Sequence, residues 1–327
     1  MGRRSVLVLH TGGTLGMIGT PLEPGTYAQA LAERVPELER IAHLETEIVC
    51  NLDSSDIGPA EWTAVAEAIA RRRAAFDGFV VVHGTDTMAY TASALAFALR
   101  GLDRPVVLTG AQRPLAALRT DARRNLQDAV EVATWPVPEV GICFDGLLLR
   151  GCRAVKADAR SYRAFDTPGL EPLARFGVDI ELGRHIRHPR APFACDARFD
   201  PRVAVVHVSP GLDARSVAAL LDGGGLRGIV LAAYGVGTVP ARDGRLAAVL
   251  REASQAGVEV LVVTQHGGLV SLGMYRNSQA LAESGAIAGG KMRVEAAVPK
   301  LMHALAVHSD RAARRAYLEG DAAGEQD

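Results

Sequence analysis

Short apolar runs rich in β-branched residues alternate along this chain with longer stretches of helical spacing. VLVLHTGG at 6–13, EIVCNLDSSD at 47–56, GFVVVHGTD at 78–86 and PVVLTGAQ at 105–112 are apolar runs that break off into Gly, Thr, Asp or Ser. Unbroken runs of this kind are the pattern of parallel strands buried on both faces. Between them TYAQALAERV, PAEWTAVAEAIARRR and TMAYTASALAFALR read as helices. The second has Pro59 after Gly58 at its start and acidic residues early, as helix N-termini prefer. The alternation predicts an α/β fold, a mainly parallel sheet with helices on both faces.

The rhythm then changes twice. From 139 to 163 the pattern is two extended pieces meeting at Asp145-Gly146, a hairpin signal. From 183 to 202 the chain carries three prolines and no period. Strand and helix signals resume with VAVVHVSPG, GIVLAAYGVG and VEVLVVTQ. This predicts a larger N-terminal α/β domain over 1–187, a linker over 188–201 and a smaller α/β domain over 202–327. The length, 327 residues with 48% hydrophobic, suffices for two such cores.

Composition narrows the function by exclusion. A net charge of −1 gives no footprint for nucleic acid, and Arg71 to Arg73 read as a solvated helix end. The apolar run after the first residues is about five long, too short for a signal peptide. No stretch approaches the roughly 20 apolar residues that cross a bilayer. Cys50, Cys143, Cys152 and Cys195 show no CxxC pair and read as the reduced thiols of a cytoplasmic protein. The nine histidines form no H-E-x-x-H, and His10 and His83, at strand ends, read as structural. The loop GGTLGMIG lacks the dinucleotide order, and Asp53, among serines and a second aspartate, is a poor ribose ligand. There is no G-x-S-x-G elbow either.

What is left stands at the predicted carboxyl ends of the strands, where open parallel sheets bind ligands. Thr11 and Thr14 follow the first strand, Ser54, Ser55 and Asp56 the second, and Thr85, Asp86 and Thr87 the third. Any one cluster is ordinary turn chemistry, with Asp86 or Thr87 as the cap of the next helix. Three in succession point to a site. A threonine hydroxyl needs a base or a cation beside it to act as a nucleophile. Lys156, alone in a long lysine-free region, is a candidate cation.

TGGT at 11–14, HGTDTM at 83–88, LDSSD at 52–56, Lys156 and TQHGGLVSLGMY at 264–275 together resemble the L-asparaginase family, in particular its bacterial type I, cytoplasmic branch. The likeness runs over essentially the whole chain. It implies hydrolysis of the asparagine side-chain amide to aspartate and ammonia, with glutamine as a lesser substrate and neither metal nor cofactor. Carried over, Thr14 is the nucleophile, and Thr85, Asp86 and Lys156 form the second catalytic group. Asp86 also pairs with the substrate α-ammonium, and Ser54, with Ser55 beside it, holds the α-carboxylate. Gly13 and Gly84 let the loop approach a small ligand and leave backbone N–H groups for an oxyanion. Tyr27 stands in the stretch of the family's activating lid tyrosine. His266 replaces a cysteine near the second asparagine site of some type I members. The resemblance implies a homodimer or homotetramer whose C-terminal domain closes a neighbour's site. Two alternatives stay open: the amide-hydrolysing component of a tRNA-dependent amidotransferase, which normally carries an extra N-terminal domain, and a non-catalytic amino-acid-binding protein.

Overall fold

Most of the apolar runs become strands that water does not reach. In chain order the N-terminal elements are β1 (Ser5–Gly12), β2 (His43–Leu52), α1 (Pro59–Arg72), β3 (Gly78–Val82), α2 (Met88–Ala98), β4 (Val106–Thr109), α3 (Ala122–Val132), β5 (Val140–Phe144), β6 (Leu147–Arg150), β7 (Ala174–Phe176) and β8 (Ile180–Leu182). β3, β4 and β5 are buried throughout, as is β1 beyond Ser5. The computed structural model describes residues 2–18, 23–24 and 35–327. The chain divides into two units, Met1–Ala197 and Arg198–Asp327.

The large sheet has the order β8-β7-β6-β5-β4-β3-β1-β2. The five strands from β2 to β5 run parallel, and β6, β7 and β8 continue it antiparallel. Chain order along the parallel part is therefore 2-1-3-4-5, which reverses between β1 and β3. In such sheets the crevice for a ligand opens beyond the carboxyl ends of those two strands. Leu9 stands opposite Val81 and His10 opposite Val82, so both strands end level with each other.

β2 departs from the expected range: it starts at His43 and stops at Leu52. It is an edge strand with several side chains in water, so HLETEIVCNL alternates instead of forming a buried run. At Asp53 the chain turns away. The Asp145-Gly146 turn takes the hairpin form that the dipeptide predicts, with both residues at positive φ, 48° and 73°. α2 ends at Ala98, and Leu99–Arg100 pairs antiparallel with Ala194–Cys195 of the proline-rich stretch. The helix predicted over TYAQALAERV lies, apart from its last residue Val35, outside the described residues.

The helices cover the sheet as their patterns require. α1 begins with Pro59 in its first turn, and the Glu61 carboxylate accepts the Gly58 N–H at 2.9 Å. α2, apolar on every side, is buried almost all round. On α3 the carboxylate of Asp128 is 15% exposed, with Arg124 no nearer than 3.6 Å. Burial pushes the Asp128 carboxyl up to about 6 from 3.8. Below its unfolded value this group is neutral in both states and costs nothing. As pH rises through the native value, charging is easier in the unfolded chain, so stability is lost. Asp128→Asn is therefore expected to raise the thermal midpoint at pH 8 and to lose that advantage below about pH 4. Midpoints that differ equally at both pH values would contradict this.

The second unit contains β9 (Val203–His207), β10 (Gly228–Ala233), β11 (Glu259–Thr264) and β12 (Ile287–Ala288), all parallel in that order. No helix among the described residues is long and apolar enough to cross a membrane.

Candidate active site

Three strand ends and one distant strand build the site. At the end of β1 the Thr11 side chain is buried and donates to the Val82 carbonyl at 2.9 Å. That hydroxyl ties β1 to β3 and is not available for chemistry. Gly12 and Gly13 follow with φ of +114° and +90°. A Cβ at Gly12 would lie 2.1 Å from the Leu52 carbonyl oxygen, and one at Gly13 would lie 2.4 Å from the Gly84 nitrogen. Only glycine satisfies both the conformation and the approach. The pair delivers Thr14, half-buried, to the start of a 3-10 turn (Thr14–Gly16). Among the described residues the Thr14 hydroxyl makes no hydrogen bond.

At the end of β2, Asp53 caps the turn Ser54–Asp56. Its carboxylate accepts from the Ser55 N–H and the Ser55 Oγ, both at 2.8 Å. The backbone N–H of Ser55 and then its hydroxyl hold the Asp53 carboxyl below its ordinary value. Ser55 is exposed and its hydroxyl is committed to Asp53, whereas Ser54 is buried. The Ser54 hydroxyl makes no hydrogen bond among the described residues. It lies directly over Gly84, where a Cβ would come within 2.6 Å of the Ser54 Cβ and Oγ.

At the end of β3, Thr85 is buried and Asp86 is exposed. Neither Asp86 nor Thr87 caps α2 with its side chain. The Thr87 hydroxyl donates to the Ser54 carbonyl at 2.6 Å and fixes the second loop to the third. The Lys156 Nζ donates to the Thr85 Oγ1 at 2.8 Å and to the Asp86 Oδ1 at 2.5 Å. Asp86 keeps 67% of its side chain open to solvent while Lys156 keeps 18%, so the carboxylate has a free face for a further cation. Lys156 comes from the two-residue strand Val155–Lys156, which pairs antiparallel with Phe165–Asp166. The Phe165 ring anchors that ladder edge-on against Phe144, 5.1 Å between centroids.

The two histidines at strand ends stay neutral near pH 7. Burial pushes His83 down to about 4 and also lowers His10, against which a hydrogen bond with Asn51 acts. Among the described residues no three His, Cys, Asp or Glu side chains gather as a metal would require. Tyr27 lies outside the described residues.

One neighbour of the site was not among the sequence candidates. The Thr85 hydroxyl donates to Gln112 Oε1 at 3.3 Å, and Gln112 Nε2 donates to the Ser161 carbonyl at 2.9 Å. Asp121 holds Gln112 in place by accepting its backbone N–H. PVVLTGAQ ends its strand in polar residues just as the other three runs do, and that was the available signal.

Among the described residues this arrangement offers an unengaged hydroxyl, that of Thr14, after a glycine pair, and a second, that of Ser54, packed over Gly84. It adds an ammonium that bridges a third hydroxyl to an open carboxylate. The asparaginase N-terminal family model matches residues 5–188, and the glutaminase/asparaginase C-terminal domain model matches 202–318. The chain is 37% identical to L-asparaginase 1 of Escherichia coli K12, over 99% of this chain and 98% of that one. It is 36% identical to a glutamyl-tRNA(Gln) amidotransferase component of Aeropyrum pernix, over 93% of this chain and 74% of that one. The crystal structure of L-asparaginase I from Vibrio cholerae superimposes with a TM-score of 0.91 at 34% identity, covering 100% of both chains.

Proposed function

The chain belongs to the asparaginase family, and from that premise we propose that it hydrolyses L-asparagine to L-aspartate and ammonia through Thr14. The observation that carries this is the division of labour among the hydroxyls. Thr11 and Thr85 are hydrogen-bonded, while Thr14, after its glycine pair, has no hydrogen bond among the described residues. In the first half-reaction the Thr14 Oγ attacks the amide carbon, its proton leaves with the departing ammonia, and an acyl ester remains. In the second, water attacks the ester, its proton returns to the Thr14 oxygen, and aspartate departs. The Lys156 ammonium, bonded to Thr85 and Asp86, supports a proton-handling role for Thr85.

A free amino acid brings a carboxylate and an ammonium as well as an amide. The open face of Asp86 suits the ammonium and the unengaged Ser54 hydroxyl suits the carboxylate. Ser55 contributes through Asp53, since its own hydroxyl is committed there. The four cysteines, none in a disulfide, accord with a cytoplasmic setting, and the working assembly is a homodimer or homotetramer.

Purified protein is expected to release ammonia from L-asparagine, and from L-glutamine more slowly, without added metal. No release from asparagine would overturn the assignment in favour of a tRNA-linked amidotransferase component or a binding protein. Light scattering on the same sample is expected to give a multiple of 34.5 kDa. An active monomer would remove the oligomer from the proposal.

A further inference from the structure

A chain of side chains runs from α1 through α2 to the backbone of the third strand end. The Trp62 Nε1 lies 3.0 Å from the Thr91 Oγ1, which lies 2.9 Å from the His83 Nε2. The other ring nitrogen of His83, Nδ1, lies 2.7 Å from the Gly84 carbonyl oxygen. All three side chains are buried. The two ends fix the direction of every proton between them. A carbonyl only accepts, so Nδ1 carries the ring hydrogen. The neutral ring then accepts at Nε2, so the Thr91 hydroxyl donates to it. Indole N–H only donates, so Trp62 gives its hydrogen to the Thr91 oxygen.

We propose that His83, held in this tautomer by Thr91 and Trp62, is a positioning residue that sets the plane of the Gly84–Thr85 peptide for catalysis. The inference rests on the asparagine hydrolysis proposed above. A trans peptide is planar, with its C=O and N–H pointing opposite ways. Drawing the Gly84 oxygen onto the buried imidazole therefore turns the Thr85 N–H away from the ring. That N–H makes no hydrogen bond among the described residues. The same plane sets the direction in which Thr85 leaves the backbone towards Lys156 and Gln112. Gly84 supplies no side chain to restrain the peptide itself, because Ser54 occupies the space of a Cβ. The restraint has to come from the carbonyl side.

Two substitutions separate positioning from core filling. Asparagine can place an amide N–H where Nδ1 stands, and glutamine places its amide where Nε2 stands. With L-asparagine as substrate, His83→Gln is expected to lower kcat by about 10²-fold with KM within about twofold, the scale of a slightly misplaced reacting group. His83→Asn is expected to retain kcat within about fivefold of the unmutated chain, since it keeps the bond to the Gly84 carbonyl. Both are expected to lower the thermal midpoint by similar amounts. Equal kcat losses in the two variants, or no loss in His83→Gln, would overturn the proposal. If His83→Gln does not fold, Thr91→Val and Thr91→Ser carry the test. Valine should lower kcat at constant KM and serine should restore it, and equal kcat values for the pair would overturn the tautomer argument. Absence of turnover in the unmutated chain is a different result: it removes the asparaginase reading, and this inference with it.

Discussion

Thr14→Ala is expected to lose about 10⁴–10⁶ in turnover, the loss seen when a covalent nucleophile is removed. The fold should be untouched, because the Thr14 hydroxyl holds nothing together among the described residues. Its thermal midpoint is expected within about 2 °C of the parent. Thr11→Ala is the contrasting variant. It removes a buried hydrogen bond to the Val82 carbonyl, costs about 1 kcal/mol of stability and leaves Thr14 in place. Thr85→Val should resemble Thr14→Ala in turnover, since valine keeps the shape and loses the oxygen between Lys156 and Gln112. Groups that act as one unit are not additive, so the double variant should be scarcely slower than either single one. A Thr14→Ala protein with a tenth of the parent rate would end the nucleophile assignment.

The contrast between Thr11 and Thr14 also marks how far the sequence can be read. The motif TGGT displays two threonines that only the family resemblance ranks, since nothing in the local pattern does. The physical reason for that ranking shows when β1 and β3 lie level and the Thr11 side chain faces the Val82 carbonyl. Strands buried on both faces announce themselves as apolar runs, which is why β1, β3, β4 and β5 are visible in the sequence. β2 begins earlier than its apolar run suggests, because its edge position lets polar residues alternate through it. Turn chemistry is plain at Asp145-Gly146 and deceptive at Asp86 and Thr87, which look like caps and bind elsewhere. Gln112 and Trp62 carry no titrating or nucleophilic group, and the Thr91 hydroxyl lies inside a helix rather than at a strand end. They matter through hydrogen bonds between elements far apart in the chain, which a linear pattern does not encode.

Scarcity of lysine gives Lys156 away, yet scarcity alone ranks it no higher than Lys300. Lys300 is fully buried, meets the equally buried Glu325 at 2.5 Å and donates to the Gly320 carbonyl, a structural ion pair in the second unit. Lys156 differs in keeping 18% of its side chain open, in bridging a hydroxyl and a mostly exposed carboxylate, and in holding no carbonyl among the described residues. A lysine that only pinned Asp86 could be replaced by arginine, which keeps the charge. A lysine that gives up a proton and takes it back could not, because arginine stays protonated and its planar fork does not fit a compact ammonium site. Methionine keeps the stem and removes the charge. Both Lys156→Arg and Lys156→Met are therefore expected to fold and to lose roughly 10²–10⁴ in kcat, the contribution of a general acid–base group. KM for asparagine should move much less, since the hydroxyl of Ser54 and the open face of Asp86 remain. If Lys156→Arg turns over at close to the parent rate, the ammonium supplies only charge. The proton of the attacking oxygen must then travel by a route that bypasses the Lys156 amine.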